Sequence, residues 1–160
     1  MKASIVAVAC VVTATGGSVL GQPQGLSGTW ELDLPRSQIS PPLLHGGGDD
    51  GPAHTLYVTQ AANGTLTLGT NAHSGNAWAY TPGGESSIPL GETDRMPVTA
   101  RWDGDHLISE GHRDAAGSDV VIGVKEVHSL SDDGQTLTIT QTTTKPNGET
   151  TNTLVYRKLP

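Results

Sequence analysis

Gln135-Thr136-Leu137-Thr138-Ile139-Thr140-Gln141-Thr142-Thr143-Thr144 runs into Lys145, turns at Pro146-Asn147-Gly148, and returns as Glu149 to Lys158. Successive side chains on a strand point to opposite faces. Leu137 and Ile139 therefore share one side, and Thr136, Thr138 and Thr140 the other. Leu154 and Tyr156 fall in phase on the returning segment. Asn-Gly tolerates the positive φ that a tight hairpin needs. The stretch predicts two antiparallel strands with one apolar face and one hydroxylic face.

The same grammar extends towards the N-terminus. Asp119 to Ser129 is a strand that turns at Asp132-Asp133-Gly134 into the first strand above. Val98 to Trp102 turns at Asp103-Gly104 into Asp105 to His112. His54 to Gln60, with Leu56 and Val58 in phase, turns at Ala62-Asn63-Gly64 into Thr65 to Gly69. Asn76 to Thr81 carries Trp78 and Tyr80 on one face, Pro82-Gly83-Gly84 turns, and Glu85 to Leu90 is a weak strand. Gly28-Thr29-Trp30-Glu31-Leu32-Asp33-Leu34 places Trp30, Leu32 and Leu34 together before Pro35 stops it. Ser37 to Pro52, with Pro41-Pro42 and Gly46-Gly47-Gly48, has no period and reads as a long loop, either a lid or an excursion without a role.

No amphipathic helix is evident. Short strands joined by tight turns make an antiparallel up-and-down meander. About eight to ten strands leave two open edges unless the sheet curls shut, which predicts an all-β closed barrel. A β-sandwich shares these strand cues and is the alternative.

Composition agrees. The 160 residues include 21 Gly and 10 Pro, no Phe, and only 16% charged side chains. The formal charge of −7, without any basic run, argues against nucleic acid and anionic membrane surfaces as partners.

Lys2, the apolar stretch Ile5 to Val12 and the small residues around Val19-Leu20-Gly21 have the layout of a secretory signal. The expectation is a signal peptide over 1–21, a single domain over 22–160, and a periplasmic or secreted product. The apolar run is far shorter than the roughly 20 residues that span a bilayer, so no transmembrane segment is expected in the mature chain. The one cysteine, Cys10, lies in that leader, which leaves no disulfide, thiolate metal site or Cys nucleophile in the mature chain.

Gly28-x-Trp30 at the start of the first strand, with Arg157 late in the last, resembles the calycin superfamily of lipocalins, fatty-acid-binding proteins and avidins. The chain has the general look of a short bacterial lipocalin-like domain. The resemblance implies a barrel whose closed end is crossed by Trp30 and covered by Arg157. A guanidinium on a desolvated indole face is worth about 1–2 kcal/mol and would tie the first strand to the last.

The search for chemistry returns little. Ser109 opposes Glu110 and His112 across the strand, and no nucleophile elbow exists, so no catalytic residue is assigned. The six His residues lack metal-ligand spacing, and the Asp-Gly pairs read as turns, so neither metal nor cofactor is implied. Asn63-Gly64-Thr65 is a formal glycosylation sequon in a eukaryotic host and simply a hairpin in a bacterium. With 4% aromatics, the chain lacks the girdles of an outer-membrane barrel.

The leading expectation is a non-catalytic binding protein for a small apolar molecule. Trp78, Tyr80 and Trp102 are candidate wall residues, and Arg101, Glu110 and His112 are candidate head-group anchors. A filled β-domain acting through its surface, and a barrel isomerase or cyclase with titratable groups converging inside, are the other two readings.

Overall fold

Four of the tight turns set the frame. Ala61–Thr65, Asp103–His106, Ser131–Gln135 and Lys145–Gly148 each reverse the chain between paired strands. Gly104 and Gly134 sit at φ +59° and +68°, the left-handed region where a side chain is strained. The computed structural model describes residues 25–40, 52–70, 77–89, 95–114 and 120–160. The expected leader over 1–21 and positions 41–51 of the expected loop lie outside the described residues.

Ten strands follow in chain order: β1 (Gly28–Leu32), β2 (Thr55–Gln60), β3 (Leu66–Gly69), β4 (Ala77–Tyr80), β5 (Glu85–Pro89), β6 (Arg95–Asp103), β7 (His106–Asp114), β8 (Val121–Leu130), β9 (Thr136–Lys145) and β10 (Gly148–Lys158). Each pairs antiparallel with its sequence neighbour, and β1 pairs with both β2 and β10, so the meander closes. The sandwich alternative ends here. No helix among the described residues is long and apolar enough to cross a membrane.

Closure sorts the side chains. The inner face takes Trp30, Leu32, Leu56, Val58, Leu66, Leu68, Ile88, Met96, Leu107, Leu137, Ile139, Leu154 and Tyr156, all buried. Each such side chain contributes about 1.5–3 kcal/mol on leaving water. At the seam, Trp30 stands opposite Leu56 on β2 and Lys158 on β10, and its Nε1 donates to the Leu26 carbonyl at 2.9 Å.

The sequence reading needs correction at one strand end. Leu34 does not join Trp30 and Leu32 inside; it is 49% exposed. A 3-10 turn over Leu34–Arg36, with Pro35 in it, takes over where β1 ends. The chain then rejoins the sheet at Gln38, which bridges to Thr153, and the Ser40 amide donates to the Asn152 side-chain carbonyl. Ser37 to Ser40, read as the start of a free loop, is thus held along β10.

Candidate functional site

One row of inward side chains crosses the barrel wall. Ala100 pairs with Ser109, Ser109 with Glu126, Glu126 with Gln141, and Gln141 with Asn152, from β6 to β10. The phase is fixed at the Asp132-Asp133-Gly134 turn. Leu130 faces Leu137 there, so His128 faces Ile139 and Glu126 faces Gln141. Leu137 and Ile139 point inward, which carries His128 and Glu126 inward with them.

Glu126 is 0% exposed. Its Oε2 accepts from the Tyr80 hydroxyl, which reaches across from β4, and from Ser109 Oγ at 3.4 Å. Its Oε1 accepts from Gln141 Nε2 at 2.9 Å. Trp78 Nε1 donates to the Tyr80 oxygen at 3.1 Å, which links an indole, a phenol and a carboxylate in series. His128 lies beside them, its Nε2 4.0 Å from Glu126 Oε2 and its ring 5.0 Å from that of Tyr80. Gln141 Oε1 is buried without a hydrogen-bond partner. The carboxylate dictates that arrangement: the amide must turn its NH2 towards Glu126, which aims its carbonyl away.

Burial is the main reason the Tyr80 hydroxyl is held well above its usual range, and the negative charge of Glu126 adds to it. Tyr80 therefore stays a neutral donor. Taking a carboxylate out of water costs several kcal/mol, which the hydrogen bonds from Tyr80 and Gln141 and the longer one from Ser109 at 3.4 Å offset in part. The cluster brings a carboxyl, an imidazole and a phenol hydroxyl together away from water.

Trp78 and Tyr80 are inside, both buried. Trp102 is half-buried against the core, its Nε1 donating to the Gly64 carbonyl at 3.1 Å. Arg101, Glu110 and His112 stand on the outer face, so none reaches the interior. Arg101 pairs with Glu110 at 3.0 Å, and Lys125 approaches Glu110 at 3.5 Å. That pairing, with the Arg101 hydrogen bond foremost, lowers the Glu110 carboxyl below its usual value. Glu110 and His112 instead line an outer groove of about 860 Å³ across β5, β6 and β7, with Glu85, Ser87, Pro97 and Thr99.

The closing cation also differs from the expectation. Lys158 Nζ lies 5.2 Å from the Trp30 ring centroid. Arg157 points outward and pairs with Glu31. The two residues are neighbours on one strand, so only one can face inward, and register with Trp30 selects Lys158. Gly28 makes room for it: a Cβ there would lie 2.9 Å from Lys158 Cε. Among the described residues no group of three or more His, Cys, Asp or Glu side chains is placed to hold a metal.

Glu126, His128 and Gln141 were missed as a site. The signal was present in the turn count back from Leu137 and Ile139.

No family model and no curated protein matches the chain. Solved structures do. One is a fatty acid transporter, REP1-NXSQ, with TM-score 0.57 and 14% identity, covering 84% of this chain and 96% of its own. Another is the zebrafish ileal bile acid-binding protein complexed with cholic acid, with TM-score 0.54 and 16% identity, covering 84% and 99%. The fold is calycin-like.

Proposed function

We propose that the chain is an exported, non-catalytic carrier that holds a small apolar molecule within the barrel, with Trp78, Tyr80 and Trp102 along its wall. The observation that carries this reading is the buried Glu126 cluster. A barrel with only itself to fill would be as stable or more so with apolar side chains there, because a buried ionic group seldom improves on them. A polar group within an apolar interior is instead what fixes the orientation of a ligand. Two solved structures of like fold are described as a fatty acid transporter and a bile acid-binding protein, which supports the same class. Export rests on the residue pattern of positions 1–21 alone.

The test is titration of the purified protein with an apolar fluorescent dye while Trp emission is followed. Saturable binding that shifts the emission, and is weakened by Trp78→Leu, is expected. Absence of binding by dyes, fatty acids and sterol-like amphiphiles alike would remove the reading.

A second reading, a barrel isomerase or cyclase, draws on the convergence of Glu126, His128 and Tyr80 in one buried cluster. Such groups supply general acid and base. Turnover of a bound small molecule that Glu126→Gln abolishes without loss of binding would favour it over the carrier.

A further inference from the structure

We propose that Asn147, at the tip of the β9–β10 hairpin, is a site of spontaneous deamidation. Its side-chain amide is lost through a cyclic imide formed with Gly148, and the turn passes into aspartate and isoaspartate forms. The inference does not depend on the carrier reading.

The reaction needs only the chain and water. The Gly148 amide nitrogen gives up its proton to hydroxide and attacks Asn147 Cγ. The N–Cγ bond forms, the Cγ–Nδ2 bond breaks, and ammonia leaves with a proton taken from water. Water then opens the imide. Cleavage of the N–Cγ bond restores the peptide and leaves aspartate. Cleavage at the Asn147 backbone carbonyl carbon leaves the chain running through the side chain, as isoaspartate. A following glycine favours the attack, because no Cβ crowds its nitrogen.

The chain has two Asn-Gly dipeptides, Asn63-Gly64 and Asn147-Gly148, each in a hairpin turn. The fold treats them differently. At the first, Asn63 Oδ1 accepts from the Thr65 amide at 3.1 Å. The Gly64 amide, which would have to attack, donates to the Ala61 carbonyl at 2.9 Å. Trp102 Nε1 grips the Gly64 carbonyl at 3.1 Å, and Gly64 is buried. The attacking nitrogen and the attacked amide are both committed, and the water that must take the proton and open the imide is kept off.

At the second, Lys145 to Gly148 are all exposed. Among the described residues no side-chain hydrogen bond holds Asn147. Gly148 opens β10 as the partner of Lys145, the outermost rung of that ladder, and the ends of a ladder fray first. Nothing among the described residues lies within 4 Å of where a Gly148 Cβ would stand. The product matters to the hairpin. Isoaspartate lengthens the backbone inside a turn whose length fixes the register of the two strands. Aspartate keeps the backbone and adds a negative charge two residues from Glu149.

The test holds the purified folded protein, and a sample unfolded in guanidinium chloride, at the same mildly alkaline pH. Peptide mapping by mass spectrometry follows the exchange of amide for carboxyl at each site, and enzymatic methylation reports isoaspartate. In the folded chain Asn147 is expected to convert about tenfold or more faster than Asn63, where two hydrogen bonds must break first. In the unfolded chain the two rates should converge. Asn147→Gln should abolish the fast release of ammonia from the folded protein. Equal rates at the two sites in the folded chain, or a faster Asn63, overturn the assignment. So does a gap that persists in the unfolded chain, because local sequence and not the fold would then set it. Fast ammonia release that survives Asn147→Gln places the labile amide elsewhere.

Discussion

Lys158 lies over the indole of Trp30, 5.2 Å from its centroid, and the two face each other across the β1–β10 seam. The contact joins the first strand to the last. A cation on an aromatic face is worth about 0.5–2 kcal/mol, the higher end when desolvated. Lys158→Met should lower stability by about 1 kcal/mol. Arg157→Ala removes only an exposed pair with Glu31 and should cost about 0.5 kcal/mol or less. Urea midpoints at constant slope measure both. A larger loss for Arg157 would return the closing role to it.

Gly111 makes a second prediction. It pairs with Val98, and a Cβ added there would lie 2.6 Å from the Pro97 carbonyl and 2.8 Å from Val98 Cγ1. The carbonyl is backbone and cannot step aside without parting β6 from β7. Gly111→Ala should destabilise by about 1–3 kcal/mol, as overpacking does. A thermal midpoint within a degree of the parent would show that the two strands have slack there.

How far the sequence carried is clear from particular residues. Asn63-Gly64, Asp103-Gly104, Asp133-Gly134 and Asn147-Gly148 each demand a reversal, and every one is a turn. Order and antiparallel pairing follow from local chemistry alone. Phase is harder where neither face is cleanly apolar. On β8, Ile122, Val124 and Leu130 lie in phase with Glu126 and His128, while Val121 and Val127 lie out of phase. Hydropathy on that strand does not choose a face. The choice is made next door, by Leu137 and Ile139 through the turn. The outward direction of Arg101, Glu110 and His112 was lost for a different reason. Their strands alternate well, but a long polar side chain in a β-sheet is legible as an anchor only once its face is known. Likewise Arg157 and Lys158 are adjacent cations, and one residue of register decides which meets Trp30.

Alkaline titration tests the buried phenols. Burial raises Tyr80 and Tyr156 well above the ordinary tyrosine range, with the Glu126 charge adding to Tyr80. Both groups hold their proton more firmly folded than unfolded. Their contribution is complete below the unfolded pKa of about 10, and stability falls as pH rises from there towards the folded values, because the unfolded chain binds fewer protons. Absorbance at the phenolate band should show these two tyrosines ionising only together with the loss of near-UV circular dichroism. Smooth ionisation near pH 10 with the fold intact would place them in contact with water.

The outer ion pairs and the inner cluster should separate in their effects. Arg101 holds Glu110 at 3.0 Å with Lys125 at 3.5 Å, and all three side chains are about half exposed. The Glu110 carboxyl is lowered, so its contribution is present above the unfolded pKa and is lost as pH falls through the folded value. Water and salt screen such pairs, so Arg101→Ala or Glu110→Gln should cost about 0.2–1 kcal/mol and less in high salt. Neither change, nor His112→Ala, should alter binding of an interior probe, because these side chains stand outside the wall. Tyr80→Phe is the contrast. It deletes one donor to a buried carboxylate and should cost about 1.5–3 kcal/mol. It should also weaken the probe, since it removes the hydroxyl that the Trp78 indole donates to. If instead the outer substitutions change the affinity and Tyr80→Phe does not, the ligand sits in the groove across β5, β6 and β7 rather than in the barrel.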